Sequence, residues 1–142
     1  MSYNPYSLEG KTILVTGASS GIGKATAVEC SKLGAGVVIT GRDEKRLSDT
    51  FSLLQGDSHI QLVADLGKEE DLSLLVNRLP ALDGIAHIAG IVKTIPVTFL
   101  KKQDMQHLFD VNFFAPTLLT TGLLKQKKIR KPSSIVFISS IE

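Results

Sequence analysis

Gly17, Gly21 and Gly23, within the run Thr16-Gly17-Ala18-Ser19-Ser20-Gly21-Ile22-Gly23, are spaced for one kind of chemistry, the capture of a pyrophosphate. Without a Cβ, Gly17 and Gly21 let the chain enter dihedrals that other residues avoid and let a phosphate approach the main chain. Gly23 lets a following helix pack closely on the strand before the turn, the apolar run Ile13-Leu14-Val15. A helix starting around Ile22, carrying Ala25, Ala27, Val28 and Cys30, would aim its free N–H groups and about half a positive charge at the anion. The spacing is Gly-x-x-x-Gly-x-Gly rather than the commoner Gly-x-Gly-x-x-Gly, so the strand before and the helix after are what make it informative. A strand-to-helix turn with no ligand is the alternative.

The elements that must hold this turn follow from periodicity. After Gly34, a helix C-cap, Val37-Val38-Ile39-Thr40 reads as a second buried strand. Asp43 caps a charged helix whose Leu47, Phe51 and Leu54 form one apolar stripe, and Gln55-Gly56-Asp57 ends it. Residues 60–63 give a third strand ending at Asp65, and a helix over about 68–79 turns Leu72, Leu75 and Val76 inward before Pro80. Residues 84–88 give strand four, a long helix runs over about 103–125, and 135–138 give strand five, with Ser133 and Ser134 at its start. Short apolar strands alternating with helices predict an α/β fold, a doubly wound parallel sheet in strand order 3-2-1-4-5. The glycine turn then lies at the carboxyl edge, near the switch between strands one and four.

Composition narrows the function classes. At 142 residues, 43% hydrophobic and 21% charged, the chain suits one globular domain. Sixteen Lys and Arg against fourteen Asp and Glu give +2, too near balance for nucleic-acid binding across the surface. Lys125, Lys127, Lys128, Arg130 and Lys131 form a local basic cluster without interleaved aromatic residues, which reads as charge complementing a helix C-terminus and solvating a loop. The single cysteine, Cys30, excludes an internal disulfide and suits a reducing compartment. His59, His87 and His107 lie on different elements without ligand-like spacing, so no metal is expected. Residues 1–10 lack a basic segment followed by an apolar core, and no apolar run approaches about 20 residues. A cytoplasmic protein, bound to neither membrane nor nucleic acid, is the expectation.

Four separated landmarks then coincide: Thr16 to Gly23, Asp65-Leu66 after strand three, Ala89-Gly90 after strand four, and Asn112 in the long helix. Together with Ile138-Ser139-Ser140 they resemble the short-chain dehydrogenase/reductase family over nearly the whole chain from Leu8. The resemblance implies a Rossmann fold, a nicotinamide cofactor and hydride exchange between a small-molecule carbonyl and alcohol, in an intact form expected to be a homo-oligomer. On it, residues 1–9 are an N-terminal arm and 10–142 an NAD(P)-binding domain incomplete at its C-terminus. The family carries a Tyr-x-x-x-Lys pair beyond the serine that Ser140 resembles, whereas the tyrosines here are Tyr3 and Tyr6, neither followed by lysine four residues on. The chain is therefore expected to resemble the cofactor-binding front portion of such an enzyme, truncated after strand five and inactive alone. Apolar side chains such as Val136 and Ile138 are then expected to be under-covered. A noncatalytic nucleotide-binding or regulatory fragment is the alternative.

Residue roles follow from the same resemblance. Gly17, Ser19, Ser20, Gly21, Ile22 and Gly23 would surround the cofactor phosphates, with turn chemistry the alternative for the serines. NAD-preferring relatives end strand two with an acid, where this chain has Gly41 and then Arg42, a pattern that resembles NADP users. NADP(H) is the expected preference; NAD(H) is the alternative if Asp43 reaches the ribose. Asp65 would accept from the adenine amino group beside the Leu66 backbone, or serve as a capping acid. Ala89 and Gly90 permit close ribose approach, although His87 and Ile88 replace two asparagines of the family, and His87 reads as a hydrogen-bonded strand residue. Asn112 lies among Phe109, Val111, Phe113 and Phe114 in a helix expected to bury much of its surface, where an unpaired amide would cost about 1–3 kcal/mol. By resemblance Asn112 holds a water and backbone in a proton relay; a structural hydrogen bond is the alternative. Pro116 is expected to kink that helix. Ser140 resembles the serine that donates to the substrate carbonyl, with Ser139 the alternative register.

Overall fold

The computed structural model describes residues 3–140 and contains a five-stranded parallel sheet in the order β3-β2-β1-β4-β5. The strands are β1 (Thr12–Thr16), β2 (Gly36–Gly41), β3 (Ile60–Val63), β4 (Leu82–His87) and β5 (Ile129–Phe137). Between them run α1 (Gly21–Lys32), α2 (Glu44–Leu53), α3 (Glu69–Arg78), α4 (Lys102–Phe109) and α5 (Ala115–Lys125). The order is the one that strand-helix alternation implies.

Helices on both faces explain why the central strands are apolar without alternation. In register, Leu14 pairs with Val38 and Ile85, and Val15 with Ile39 and Ala86. Leu14, Val38 and Ile85 pack on one face with Leu72 and Leu75 of α3 and Leu119 and Leu123 of α5. Val15, Val37 and Ile39 pack on the other with Ala27 of α1 and Leu47 of α2. Leu8, inside the span read as an arm, packs against this second cluster and donates its N–H to Leu33 O at 2.8 Å. Tyr3 and Tyr6 are exposed.

Several local expectations change. On α2 the inward residues are Leu47, Thr50 and then Leu54 at its end, while Phe51 is 37% exposed. Both positions 50 and 51 lie beside Leu47 on a helix; the Thr50 hydroxyl wins because it donates to Ala18 O at 2.8 Å within the glycine turn. The long helix is interrupted by a π turn at Asp110–Phe114. It lies just before Pro116, whose missing N–H removes one donor from the ladder there. Of the residues around Asn112 only Val111 is buried; Phe109, Phe113 and Phe114 are exposed, as is Asn112 itself.

Strand β5 starts at Ile129, earlier than its apolar stretch implies, with a shifted register between Leu82 and Gly84. The basic cluster is thereby drawn into the fold. Lys128 Nζ donates to Val76 O and Asn77 O at 2.7 and 2.9 Å, so the helix end it complements is that of α3. Arg130 Nη1 lies 2.9 Å from Asp83 Oδ2, which also accepts the Thr12 N–H at 2.8 Å. These contacts, the Thr12 amide first, hold the Asp83 carboxyl below its ordinary pKa. Val136, Phe137 and Ile138 are each at least half exposed, as an under-covered edge requires. Among the described residues no helix is long and apolar enough to cross a membrane.

Candidate cofactor site

A groove of about 460 Å³ opens at the carboxyl edge where β1, β2 and β4 end, within the size range of small-molecule sites. All eleven residues read from the sequence as cofactor contacts line it. Its floor is the glycine turn. Gly17 has φ +65°, and a Cβ there would come within 2.7 Å of Ala89 Cα, so both dihedral and space demand glycine. Gly21, at φ +55° with open space around it, is required by its dihedral alone. A Cβ on Gly23 would lie 2.0 Å from Gly17 O, which brings the first turn of α1 directly against the end of β1.

The turn is tied to both neighbouring strands. Thr16 Oγ1 accepts the N–H groups of Ile88 and Ala89, each at 3.0 Å, and Ala18 N–H donates to Thr40 O at 3.1 Å. Ser20 is the N-cap of α1 in extended conformation, and its side chain makes no capping bond. The first turn of α1 carries no acidic residue. Its leading amides and the positive end of its dipole therefore face the groove with no carboxylate in their own turn to compete, which suits an anion.

At the end of β2 the groove is lined by Gly41, Arg42, Asp43 and Arg46. Asp43 Oδ1 accepts the Arg46 N–H at 3.0 Å and Oδ2 lies 3.8 Å from Arg46 Nε, so the carboxylate is the N-cap of α2. That engagement disfavours Asp43 as a ribose ligand and sets two guanidinium groups at this end, Arg42 and the Asp43-paired Arg46. Arg46 was not evident from the motif; its signal is its position one helical turn beyond Arg42, three residues after the cap. Asp65 lines the groove beside Ala64 and Leu66. Its Oδ1 accepts the Gly67 N–H at 3.0 Å, and its own N–H donates to Asp71 Oδ2 at 2.7 Å.

The opposite end is formed by Ile88, Ala89, Gly90 and Ile91. Asn112 is outside the lining but holds it: Ile91 N–H donates to Asn112 Oδ1, and Asn112 Nδ2 donates to Ile91 O, both at 2.8 Å. A Cβ on Gly90 would approach Asn112 Oδ1 to 3.2 Å. Lys93 pairs with Asp104, tethering the following loop to α4. His87 is buried at the end of β4, its Nε2 2.8 Å from Thr120 Oγ1 and its ring stacked on Phe137 at 4.8 Å. Burial pushes its pKa down to about 4, so the ring is neutral in ordinary buffers. Ser139 and Ser140 are exposed just past β5 and do not line the groove, although Ile138 N–H joins that segment to His87 O at 3.2 Å.

His107 lies against the turn that Asp65 holds, since a Cβ on Gly67 would meet Asp65 Oδ1 at 3.3 Å and His107 Cε1 at 3.4 Å, whereas His59 sits apart. His59 Nδ1 accepts the Val37 N–H, and Nε2 donates to Gln55 O. Among the described residues no group of three or more His, Cys, Asp or Glu is placed to hold a metal ion.

Comparison with known proteins agrees with this geometry. A family model described as short chain dehydrogenase matches residues 11–142. The 3-oxoacyl-[acyl-carrier-protein] reductase FabG of Rickettsia prowazekii is 36% identical over 134 residues, covering 94% of this chain and 55% of that protein. An uncharacterized oxidoreductase of Escherichia coli K12, YciK, is 34% identical over 152 residues, covering 99% of this chain and 60% of that protein. Among solved structures, a provisionally assigned short chain dehydrogenase from Escherichia coli CFT073, complexed with NADPH, superposes with a TM-score of 0.84 at 33% identity. That match covers 97% of this chain and 62% of the other. The chain thus spans a little over half the length of the relatives it matches. With the sheet order, the glycine turn and the matched residues in agreement, this chain belongs to the short chain dehydrogenase family.

Proposed function

We propose that the chain is the NADP(H)-binding part of an oxidoreductase that interconverts a small-molecule carbonyl and its alcohol. The observation that carries the cofactor preference is the end of β2: Gly41 without a side chain, Arg42 and Arg46 on the groove, and Asp43 engaged as a helix cap. The relative complexed with NADPH supports the same reading, and the relatives named 3-oxoacyl reductases support carbonyl chemistry.

The residues present fit such a cofactor, because glycine cradles and amide donors meet its pyrophosphate and two guanidinium groups meet a 2′-phosphate. When bound, NADP(H) supplies the hydride that the reaction exchanges. Ser19, Ser20, Gly21 and Ile22 bind the phosphates through the turn and the start of α1, with Gly17 and Gly23 keeping the approach clear. Asp65 accepts from the adenine amino group beside Leu66, and Ala89 and Gly90 give the ribose room. Asn112 fixes the Ile91 backbone and so positions the reacting end, while Ser140 donates a hydrogen bond to the substrate carbonyl. These 142 residues contain no Tyr-x-x-x-Lys pair to move the alcohol proton, so the chain alone binds cofactor without normal turnover.

Fluorescence titration of wild type, Arg42→Ala and Arg46→Ala with NADPH and NADH tests the reading. One charge-assisted contact is worth about 1.5–3 kcal/mol, so wild type should prefer NADPH by about ten- to a hundredfold. Arg42→Ala should remove most of that preference through weaker NADPH binding alone. Equal affinity for the two cofactors, or a preference untouched by Arg42→Ala, would overturn it.

A further inference from the structure

Thr50 is fully buried on the inner face of α2, lies outside the groove lining, and spends its hydroxyl on a distant segment. A hydroxyl has one proton to give, and two carbonyls stand near this one, Ala18 O at 2.8 Å and Arg46 O at 3.3 Å. The shorter contact takes the proton, so the bond ties α2 to the glycine turn rather than folding back on its own helix. Ala18 is thereby held on both sides. Its N–H donates to Thr40 O at 3.1 Å, and its carbonyl accepts from Thr50. The two peptide planes that meet at Ala18 are each fixed by a buried residue, one on β2 and one on α2.

We infer, resting on the proposed dinucleotide site, that Thr50 is a positioning residue: by holding the Ala18 carbonyl it orients the Ala18–Ser19 peptide so that Ser19 N–H is presented to the groove as a phosphate donor. That peptide is trans, and a trans peptide points its N–H opposite to its C=O. With the carbonyl turned inward to α2, the N–H is turned away from it. Ser19 lines the groove whereas Ala18 and Thr50 do not, and among the described residues no protein group accepts the Ser19 N–H. A donor fixed in place before the anion arrives needs no reorientation when it binds, which is what makes a distant hydroxyl matter to affinity. Without the Thr50 proton the Ala18 carbonyl is a buried acceptor left unpaired, and the peptide gains by tilting to find another donor. The tilt takes the Ser19 N–H with it.

Two variants of the 142-residue chain separate this role from packing. Thr50→Val keeps the branched shape and removes the proton; Thr50→Ser keeps the proton and removes a methyl group. In fluorescence titrations Thr50→Val should weaken NADPH and NADH alike by about tenfold, the worth of one charge-assisted hydrogen bond, because both carry the pyrophosphate. Thr50→Ser should stay within about threefold of wild type for both, even though the lost methyl lowers its unfolding temperature. Thr50→Ala, which also lacks the proton, should match Thr50→Val in affinity and replaces it if valine prevents folding. A Thr50→Val affinity within about twofold of wild type, a loss confined to NADPH, or an equal loss in Thr50→Ser would each overturn the assignment. A second arm needs no cofactor. In NMR spectra of the ligand-free chain the Ala18 carbonyl ¹³C and Ser19 amide ¹⁵N resonances should both move in Thr50→Val and stay near their wild-type positions in Thr50→Ser. Unmoved resonances in Thr50→Val would also overturn it. If wild type titrates neither cofactor, the proposed function falls, and the resonances still decide whether Thr50 orients this peptide.

Discussion

Replacing Gly23 by alanine should damage this protein far more than a helical Gly→Ala change ordinarily does. The new Cβ would lie 2.0 Å from Gly17 O, 2.6 Å from Gly17 C and 3.1 Å from Ala18 N, all of them backbone atoms. Gly17 and Ala18 cannot recede, because Thr16 and Ala18 are hydrogen-bonded to the ends of β4 and β2. Reaching even a 3.0 Å separation takes a shift of α1 by about 1 Å, and overpacking of this kind costs about 1–3 kcal/mol. Because the clash is with fixed backbone the upper end of that cost applies, and alanine's return of up to about 1 kcal/mol through helix propensity leaves a net loss of about 2 kcal/mol. Gly122→Ala is the matched control. The nearest atoms its Cβ would meet are Val76 Cγ2, Cγ1 and Cβ at 2.9, 3.3 and 3.6 Å, side-chain rather than backbone atoms, so that change should cost less than Gly23→Ala. Urea unfolding followed by circular dichroism measures both, with unchanged slopes confirming that stability is what moved. NADPH affinity should fall about tenfold in Gly23→Ala as the α1 amides retreat from the groove. A Gly23→Ala protein within about 0.5 kcal/mol of wild type, or no worse than Gly122→Ala, would refute the close-packing argument.

Three further outcomes are expected. Among the described residues Thr40 Oγ1 is buried with no hydrogen-bond partner, so Thr40→Val should raise stability by about 1 kcal/mol in the same urea assay; a loss of stability would show that the hydroxyl has a partner. His87 has its pKa lowered from 6.5 to about 4, so the unfolded chain takes up its proton first as pH falls. Stability tied to this ring is full above about pH 6.5 and is lost progressively down to about pH 4, by up to about 3 kcal/mol, and His87→Asn should flatten that part of the profile. An identical profile in His87→Asn would place the pH dependence elsewhere. Lastly, the purified 142-residue chain should reduce carbonyl substrates with NADPH at least about a hundredfold more slowly than a positioned acid-base group permits; robust turnover would contradict the reading that proton transfer needs a Tyr-x-x-x-Lys pair these residues do not contain.

The individual strands and the glycine turn were legible in the sequence because each depends on neighbours within a few residues, and the sheet order followed from the alternation of strands with crossover helices. Ile13-Leu14-Val15 must be buried on both faces, and Gly17 and Gly21 need dihedrals that few other residues adopt. Asp43 was legible as a cap for the same reason, its acceptor lying three residues from the amide it serves. What escaped depended on packing between distant segments. Thr50 displaced Phe51 from the inner face because Ala18, thirty-two residues earlier, offers it a carbonyl. Lys128 finds its acceptors on α3 rather than on the helix before it. Asn112 was expected to be buried among phenylalanines; those rings face outward, and its amide is satisfied by the Ile91 backbone from a loop twenty-one residues away.

The claim on which the rest depends is that a phosphorylated nicotinamide dinucleotide lies in the groove between the glycine turn, the end of β2 and the end of β4. Mapping backbone amide chemical shifts of the chain during an NADPH titration tests it most directly. Saturable changes concentrated at Ser19 to Gly23, Arg42 to Arg46, Asp65 to Leu66 and Ala89 to Ile91 are the predicted result. Shifts that do not saturate, or that fall on the β5 edge or the α3–α5 face while these amides stay still, would contradict it.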